Sequence, residues 1–527
     1  MEKQDLLICT TLSGQTPEEM LASMTRAREE GANLVQLNFH SSHSINDVQK
    51  VIHQRILPVI VYYSLNTSID LYEESEETKC FEVLGLALEL GAEFVEIELG
   101  VANKFVSSTK LRKHSNTKMI VSYHSHGGTP LAKELGDFVH LMQSIGADIM
   151  KITTDGVVIT DVAPIFHLLS HCQQPKSKVE WLTKCSSKAP LIASAAGDRG
   201  LISQLLSRKF GGYMVYGSVG GDSIPGLPTL ASLRQVYKLE YMNADTKVFG
   251  LISNPVGHSK GPILHNPAFR HAGYNGIYVP MRVDDLKEFF RVYSGPEFAG
   301  FSVGIPYKEA IIGCCDEVDP LAQSIGAVNT IVRRPSDGKL IGYNTDCEAG
   351  ITAIEDALRA RPSANEQASQ TSPLAGKLFV LIGAGGAGRA LAFGAKIRGA
   401  RIVIFDIDYE RAKSLATAVS GEARPFKEKD NVLPEKGMIL ANATPVGMHP
   451  NSDKTPVTKE VLGAYDLVFD SVYTPRNTRL LKEAEEVGAI AVSGVEMFIR
   501  QAIGQFKLFT GGEAPEEVMR KIVLTQF

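Results

Sequence analysis

The first 240 residues alternate apolar, β-branched runs with stretches of helical periodicity, and few folds accommodate that pattern eight times in succession. The runs are Leu6–Thr11, Leu34–Asn38, Leu57–Tyr63, Phe94–Leu99, Met119–His124, Ile149–Thr154, Leu191–Ala195 and Tyr213–Gly217. A helical pattern follows each, the last over Thr229–Leu239. Three helix exits repeat one phrase before a strand: Glu30-Gly31-Ala32, Leu90-Gly91-Ala92 and Ile145-Gly146-Ala147. Glycine there suits the left-handed residue that closes a helix. Eight strand–helix units in about 240 residues is the count and size of a (β/α)8 barrel, whose chemistry sits at the C-terminal ends of its strands. The spacing predicts such a barrel over residues 1–240.

A second stretch constrains the other half. Lys377–Asp408 reads as a strand (Leu378–Ile382), the turn Gly383-Ala384-Gly385-Gly386-Ala387-Gly388, a helix to Gly399, a strand (Arg401–Phe405) and the acid Asp406. That is the context a GxGxxG needs before it signifies a dinucleotide site. The glycines admit a pyrophosphate to the backbone, and the helix start at Gly385 offers free N–H groups. Asp406 stands where a carboxylate meets the adenosine ribose. Between barrel and turn, residues 247–346 alternate again: a helix from Ser259, strands Gly276–Met281 and Gly300–Ile305, and a helix over Asp285–Tyr293. Residues 361–375 lack periodicity and read as a loop, and helical patterns over Val495–Thr510 and Pro515–Gln526 close the chain. The fold class is α/β: a barrel over 1–240, a substrate lobe over 247–346 and a Rossmann domain over 347–527.

Net charge −5 argues against nucleic acid or an anionic membrane as partner, and no apolar run reaches transmembrane length. Seven cysteines without CxxC spacing read as free thiols in a reducing compartment, and no metal site is expected. The opening MEKQDLLICTTL enters a strand pattern directly, which predicts a cytosolic protein. A plastid leader trimmed from the chain would leave the same trace.

Lys151 and His124 lie at barrel strand ends, where a lysine amine can form an imine with a ketone while a histidine moves protons. Spacing alone fits a snorkelling lysine and a hydrogen-bonded histidine more simply. The words Phe94-Val-Glu-Ile-Glu98-Leu, Val-Ser-Tyr-His124, Met-Lys151-Ile-Thr-Thr, Gly197-Asp-Arg-Gly200 and Ser223-Ile-Pro-Gly226 resemble the type I 3-dehydroquinate dehydratase family. That resemblance implies Lys151 as imine former, His124 as acid/base, and Glu98 and Ser223 as further site positions. The family's arginines are missing: Gln36-Leu37-Asn38-Phe39-His40 replaces E-x-R-x-D, Tyr63 replaces the third-strand arginine, and Ser203-Gln204 replaces S-R. Leu227 also stands where the family has glutamine. Losing the guanidinium forks that hold one carboxylate substrate predicts a folded but poor dehydratase with a vestigial site. Residues 172–188, with Trp181, exceed the family pattern and read as a surface excursion.

In the second half Lys308 follows a strand, and Asp346 stands at a strand-to-helix turn. Such a pair can take the hydroxyl proton in an alcohol oxidation, or the two can be a surface charge and a helix N-cap. Asn254-Pro-Val-Gly-His258-Ser259-Lys, Ile305-Pro-Tyr-Lys308, Gly326-Ala-Val-Asn329-Thr and Gly342-Tyr-Asn344-Thr-Asp346 resemble shikimate dehydrogenases. So do Asn442-Ala-Thr444-Pro-Val-Gly-Met448, Asp470-Ser-Val-Tyr473-Thr-Pro and Gly494-Val-Glu-Met497-Phe-Ile-Arg-Gln501. With the barrel, the chain is similar to the plant bifunctional dehydroquinate dehydratase/shikimate dehydrogenase family. The resemblance implies Lys308 and Asp346 as the catalytic pair. Ser259, Asn329, Tyr473, Gln501 and Gln505 would grip substrate, and Thr444, Gly494 and Met497 would line the nicotinamide.

Two departures bear on specificity. The family's S-K-S reads Ser259-Lys260-Gly261 and its T-I-P-x-K reads Gly304-Ile-Pro-Tyr-Lys308, which removes two hydroxyls and is expected to open room for the tetrahedral carbon of quinate. The N-R-T/S of NADP-using members reads Asp406-Ile407-Asp408, which predicts NAD, since two carboxylates would face a phosphate dianion. The expectation is an NAD-dependent quinate dehydrogenase of the quinate/3-dehydroquinate couple, a monomer without nucleic-acid or membrane partners. The alternative is a shikimate dehydrogenase with or without residual dehydratase activity.

Overall fold

The computed structural model describes residues 6–65, 74–108, 116–173, 189–221, 224–257, 259–360, 371–431 and 435–526. Ser223, Trp181 and most of the 172–188 excursion lie outside the described residues. The chain forms two compact units, Met1–Lys247 with Val279–Glu297, and Val248–Tyr278 with Phe298–Phe527.

In the first unit the alternating runs become β1 (Leu7–Leu12), β2 (Leu34–Phe39), β3 (Val59–Tyr63), β4 (Phe94–Glu98), β5 (Lys118–Ser125), β6 (Ile149–Asp155), β7 (Leu191–Ala196) and β8 (Met214–Tyr216). They pair in the order β7-β6-β5-β4-β3-β2-β1-β8. The ring nearly closes, with Tyr213 N donating to Leu191 O at 3.0 Å where β8 meets β7. Cys9, Leu34, Ile60, Ile120, Ile149, Ile192, Met214 and Tyr216 plug the interior, seven of the eight strands contributing and Phe94 of β4 packing beside them. Gly31, Gly91 and Gly146 take φ of 96°, 64° and 86°, which is why each helix exit repeats glycine. The last helical pattern departs from expectation. A single α-turn (Leu230–Ser232) widens to a π-turn (Leu233–Tyr237) that ends at left-handed Lys238, while Arg234 donates to Gly31 O at 2.8 and 3.0 Å.

Two six-stranded sheets follow. The first comprises β9 (Lys247–Ser253), β10 (Gly276–Arg282), β11 (Phe298–Val303), β12 (Glu317–Val318), β13 (Thr330–Arg333) and β14 (Leu340–Tyr343), in the order β10-β9-β11-β13-β14-β12. The second is β15 (Leu378–Ile382), β16 (Arg401–Phe405), β17 (Glu422–Ala423), β18 (Met438–Asn442), β19 (Tyr465–Asp470) and β20 (Ile490–Ser493), in the order β17-β16-β15-β18-β19-β20. The second order is doubly wound, and it reverses between β15 and β18, the crevice where such sheets bind ligands. Helix Gly494–Thr510 leaves β20 and buries Val495, Ile499, Phe506 and Phe509 against Phe249 of β9 and Leu264 and Phe269 of helix Gly261–His271. The lobes of this unit therefore share a core. The described cysteines are all free, and no helix among the described residues is long and apolar enough to cross a membrane.

Candidate active site

The glycine turn is built for close approach. Gly383 has φ 101°, and a Cβ on Gly388 would stand 1.9 Å from Gly383 O, so neither position admits a side chain. Gly385 is the N-cap of helix Gly386–Ile397 and no side chain caps it; Ala384 precedes the cap and Ala387 is the second helical residue, so the first N–H groups of the helix are left for an anion. A Cβ on Gly386 would meet Lys308 Cδ at 3.0 Å and Lys308 Cβ at 3.1 Å. The turn and the lysine are thus in direct contact.

Lys308 Nζ donates to Asp346 Oδ2 at 2.6 Å, with the lysine 21% and the acid 5% exposed. Asp346 is the first residue of helix Asp346–Arg359, and Thr345 is its N-cap, so the carboxylate is spared from capping. Asn344 Oδ1 instead accepts from Asp346 N at 3.0 Å and Cys347 N at 3.1 Å. Burial raises the Tyr473 hydroxyl above its usual range, with the nearby Asp346 charge adding to it, which keeps this phenol a donor.

Other resemblance-implied residues surround this pair with different degrees of freedom. Ser259 Oγ accepts from Gly261 N at 3.1 Å. Asn329 is buried, donating to Thr345 Oγ1 at 2.9 Å and accepting from Thr345 N at 2.8 Å. Gln505 is buried too, its amide divided between Asn329 O at 3.2 Å and Ser302 Oγ at 2.9 Å, so it braces Asn329 from behind. Gln501 Nε2 donates to Phe498 O at 3.0 Å. Thr444 Oγ1 donates to Asn442 Oδ1 at 2.7 Å. Gly494 begins its helix where a Cβ would lie 2.5 Å from Ser471 O, and Met497 packs inward, its sulfur 3.4 Å from the Cβ position of Gly350.

The two specificity glycines do not open the expected room. A Cβ on Gly261 would lie 2.7 Å from Cε1 of the buried Tyr278, and one on Gly304 would lie 2.8 Å from Ser253 Oγ. Neighbouring side chains already fill both volumes. What the glycines remove is two hydroxyl groups.

In the barrel, Lys151 Nζ donates to both Glu96 oxygens at 3.0 Å and to Gln36 Oε1 at 2.9 Å, and lies 4.6 Å from the centre of the Tyr216 ring. Glu96 and Glu98 alternate onto one face of β4, yet Glu98 accepts from Tyr62 OH at 2.6 Å. Sequence reading singled out Glu98 and passed over Glu96, the acid that pairs with Lys151. Beside them Cys9 is buried and its thiol is pushed up to about 12, chiefly by desolvation. His124 faces Asp155, Nε2 to Oδ1 at 3.4 Å. Ser203 and Gln204 are turned to the main chain, accepting from Ala195 N and Tyr216 N at 2.9 Å each.

Three family models match the chain: type I 3-dehydroquinase over residues 8–244, the shikimate dehydrogenase substrate binding domain over 251–331, and the shikimate 5'-dehydrogenase C-terminal domain over 494–524. The chain is 47% identical over 526 residues to the chloroplastic bifunctional 3-dehydroquinate dehydratase/shikimate dehydrogenase of Arabidopsis thaliana, covering 99% of this chain and 85% of that protein. It is 41% identical over 294 residues to the shikimate dehydrogenase (NADP(+)) of Methanopyrus kandleri, covering 54% and 97%. Among solved structures it is similar to quinate dehydrogenase from Corynebacterium glutamicum in complex with NAD, at 29% identity, TM-score 0.47, and coverage of 53% and 99%.

The expectation of NAD is corrected by these relatives, whose shikimate dehydrogenases are named for NADP(+). The side chains give the physical reason. Asp406 spends its carboxylate on Ala384 N at 2.6 Å and Asp408 N at 2.8 Å, while Asp408 caps helix Tyr409–Val419 through Glu410 N and Arg411 N at 3.1 Å. Both acids are committed to backbone N–H groups. Nor is the turn without a cation: Arg411 Nη2 lies 3.7 Å from the Cβ position of Gly385 and pairs with Glu309. Sequence reading missed Arg411 because it sits one helical turn beyond the position searched.

Proposed function

The chain belongs to the bifunctional 3-dehydroquinate dehydratase/shikimate dehydrogenase family, and on that premise we propose that its second half interconverts quinate and 3-dehydroquinate with NADP(+). The observation that carries the proposal is the 2.6 Å Lys308–Asp346 pair lying against Gly386 of the dinucleotide turn. The bound nicotinamide supplies hydride exchange at the substrate carbon. Lys308 exchanges the hydroxyl proton at the oxygen of that carbon, donating it in reduction and accepting it in oxidation. Asp346 holds the lysine stem to one direction, and its own backbone is fixed by Asn344. Asn329, braced by Gln505, and Ser259, Tyr473 and Gln501 supply the polar wall for the ring hydroxyls and carboxylate.

The choice of quinate rests on the two absent hydroxyls at Gly261 and Gly304 rather than on added volume. A wall stripped of donors there loses bonds that a planar shikimate carboxylate would use. Arg411, beside the turn, would exchange its Glu309 partner for the 2′-phosphate of NADP(+). Residues 1–240 are assigned to the dehydratase-like barrel, 247–346 to the substrate lobe and 347–527 to the Rossmann domain. The barrel is proposed to dehydrate 3-dehydroquinate poorly: its lysine is held by Glu96 and Gln36, and the guanidinium forks of the family are replaced.

Initial rates with quinate and with shikimate, each with NADP(+) and with NAD, test the whole reading. Highest kcat/KM for quinate with NADP(+) supports it. Brisk shikimate oxidation with quinate ignored removes the substrate assignment, and indifference to the 2′-phosphate removes the role of Arg411.

A further inference from the structure

The strand ends of the barrel carry a cluster that joins His124, the implied acid/base, to two groups that imine chemistry does not use, His126 and Asp155. His124 Nε2 lies 3.4 Å from Asp155 Oδ1, and His126 Nδ1 lies 3.9 Å from Asp155 Oδ2. The two imidazole centres are 4.2 Å apart with planes tilted by 31°. One ligand atom from each of the three side chains falls within 4.8 Å of the others.

The fold fixes this meeting. His124 pairs with Thr153 and Ser125 with Thr154, so Asp155, the last residue of β6, comes beside the point where β5 ends and His126 follows. Asp155 Oδ2 accepts from Gly127 N at 2.9 Å, and Thr129 Oγ1 and Thr154 Oγ1 lie 2.8 Å apart. These bonds tie the His-x-His segment to the carboxylate. Gly127 and Gly128, with φ of 82° and 138°, allow the chain to turn back directly after His126.

We propose that His124 Nε2, His126 Nδ1 and the Asp155 carboxylate form a binding site for a divalent zinc-class cation. A tetrahedral shell with bonds of about 2.0–2.2 Å places its donors roughly 3.4 Å apart. The separations of 3.4 and 3.9 Å run to the two different carboxylate oxygens, and with one ligand atom of each residue within 4.8 Å of the others, side-chain rotations close the set onto one ion. Two imidazoles with one carboxylate suit zinc, cobalt or nickel, whereas magnesium and calcium call for more oxygen donors. The histidine side chains are 46% and 77% exposed, so the fourth vertex faces water and ions have free access. An ion there occupies Nε2 of His124, a nitrogen with which this histidine would otherwise exchange protons. The alternative is a solvated pair of histidines sharing one acid.

Titration of the tag-free full chain with Co2+, read by the visible absorption of the tetrahedral ion and by competition with Zn2+, decides between them. The site predicts one equivalent bound, with His126→Ala and Asp155→Asn each weakening it by more than about tenfold. His140→Ala, on an exposed helical face of the same barrel, leaves binding unchanged. His126 is highly exposed, so its variant tests the ligand set without burdening the fold. Absence of a tetrahedral spectrum, or a spectrum that survives both ligand variants or falls equally with His140→Ala, overturns the proposal.

Discussion

Restoring the two family hydroxyls, Gly261→Ser with Gly304→Thr, separates donor loss from free space as the source of substrate preference. Each hydroxyl that finds the substrate carboxylate contributes about 0.5–1.5 kcal/mol net, so the pair contributes about 1–3 kcal/mol toward shikimate. At about 1.4 kcal/mol per factor of ten, the ratio of kcat/KM for shikimate over quinate rises roughly 5- to 150-fold. The substitutions also strain the wall. A Cβ at 261 meets Tyr278 Cε1 at 2.7 Å and one at 304 meets Ser253 Oγ at 2.8 Å, both inside the normal carbon contact of about 3.5 Å. Tyr278 stacks on His265 at 4.5 Å in a buried cluster, and Ser253 Oγ donates to Ile305 O at 2.8 Å, so neither yields freely. Overpacking of this kind costs about 1–3 kcal/mol, which lowers the melting temperature of this unit by roughly 2–12 °C. Initial rates with both substrates, on protein verified as folded by its melting curve, measure both terms. A folded double variant whose substrate ratio moves by less than about twofold refutes the donor argument, since two restored donors are worth more than that.

Other perturbations probe the remaining parts. Lys308→Met removes the proton-exchanging group and should lower kcat by about 10²–10⁴ in protein verified as folded; retention of rate would exclude Lys308 from the chemistry. Arg411→Ala should raise KM for NADP(+) and leave that for NAD almost unaltered, a split readable from steady-state kinetics. Burial lowers the His265 imidazole from 6.5 to about 4. The unfolded chain therefore binds a proton that the folded chain refuses between these values, and stability falls on acidification, by about 2 kcal/mol from pH 6.5 to 5. Asp470, raised to about 6 by burial, titrates in the opposite sense. Urea melts of the wild type and His265→Gln at pH 7 and 5 isolate the histidine term, and identical pH slopes would count against it. Borohydride with 3-dehydroquinate should trap little adduct on Lys151 by mass spectrometry, and stoichiometric trapping with rapid turnover would mean a working dehydratase.

The fold was legible where local signals and tertiary demand coincide. Leu378–Ile382 and Arg401–Phe405 are strands to the residue because each apolar run is bounded by charge or glycine and buried on both faces of a parallel sheet. The barrel strands were found for the same reason, with ends displaced by one or two residues. The segment Thr229–Leu239 failed because its helical period continues through Leu233–Tyr237, whereas the backbone there follows a tertiary bond from Arg234 to Gly31 O, about 200 residues away in sequence.

The candidate site was less legible because side-chain partners obey no local period. Asp406 and Asp408 look alike on paper, yet helix capping and a loop amide claim both, and a charge argument that treats every carboxylate as free inverts the outcome. Gly261 and Gly304 lack side chains, but whether that leaves a void depends on Tyr278 and Ser253, which come from other strands. His124 and His126 stand two apart in sequence, but their partner Asp155 arrives only when β6 pairs with β5. A deletion read from sequence reports which group is gone. What fills the space, and what binds the group left behind, is decided by elements that meet only in the folded chain, and that is where substrate, cofactor and ion specificity are set.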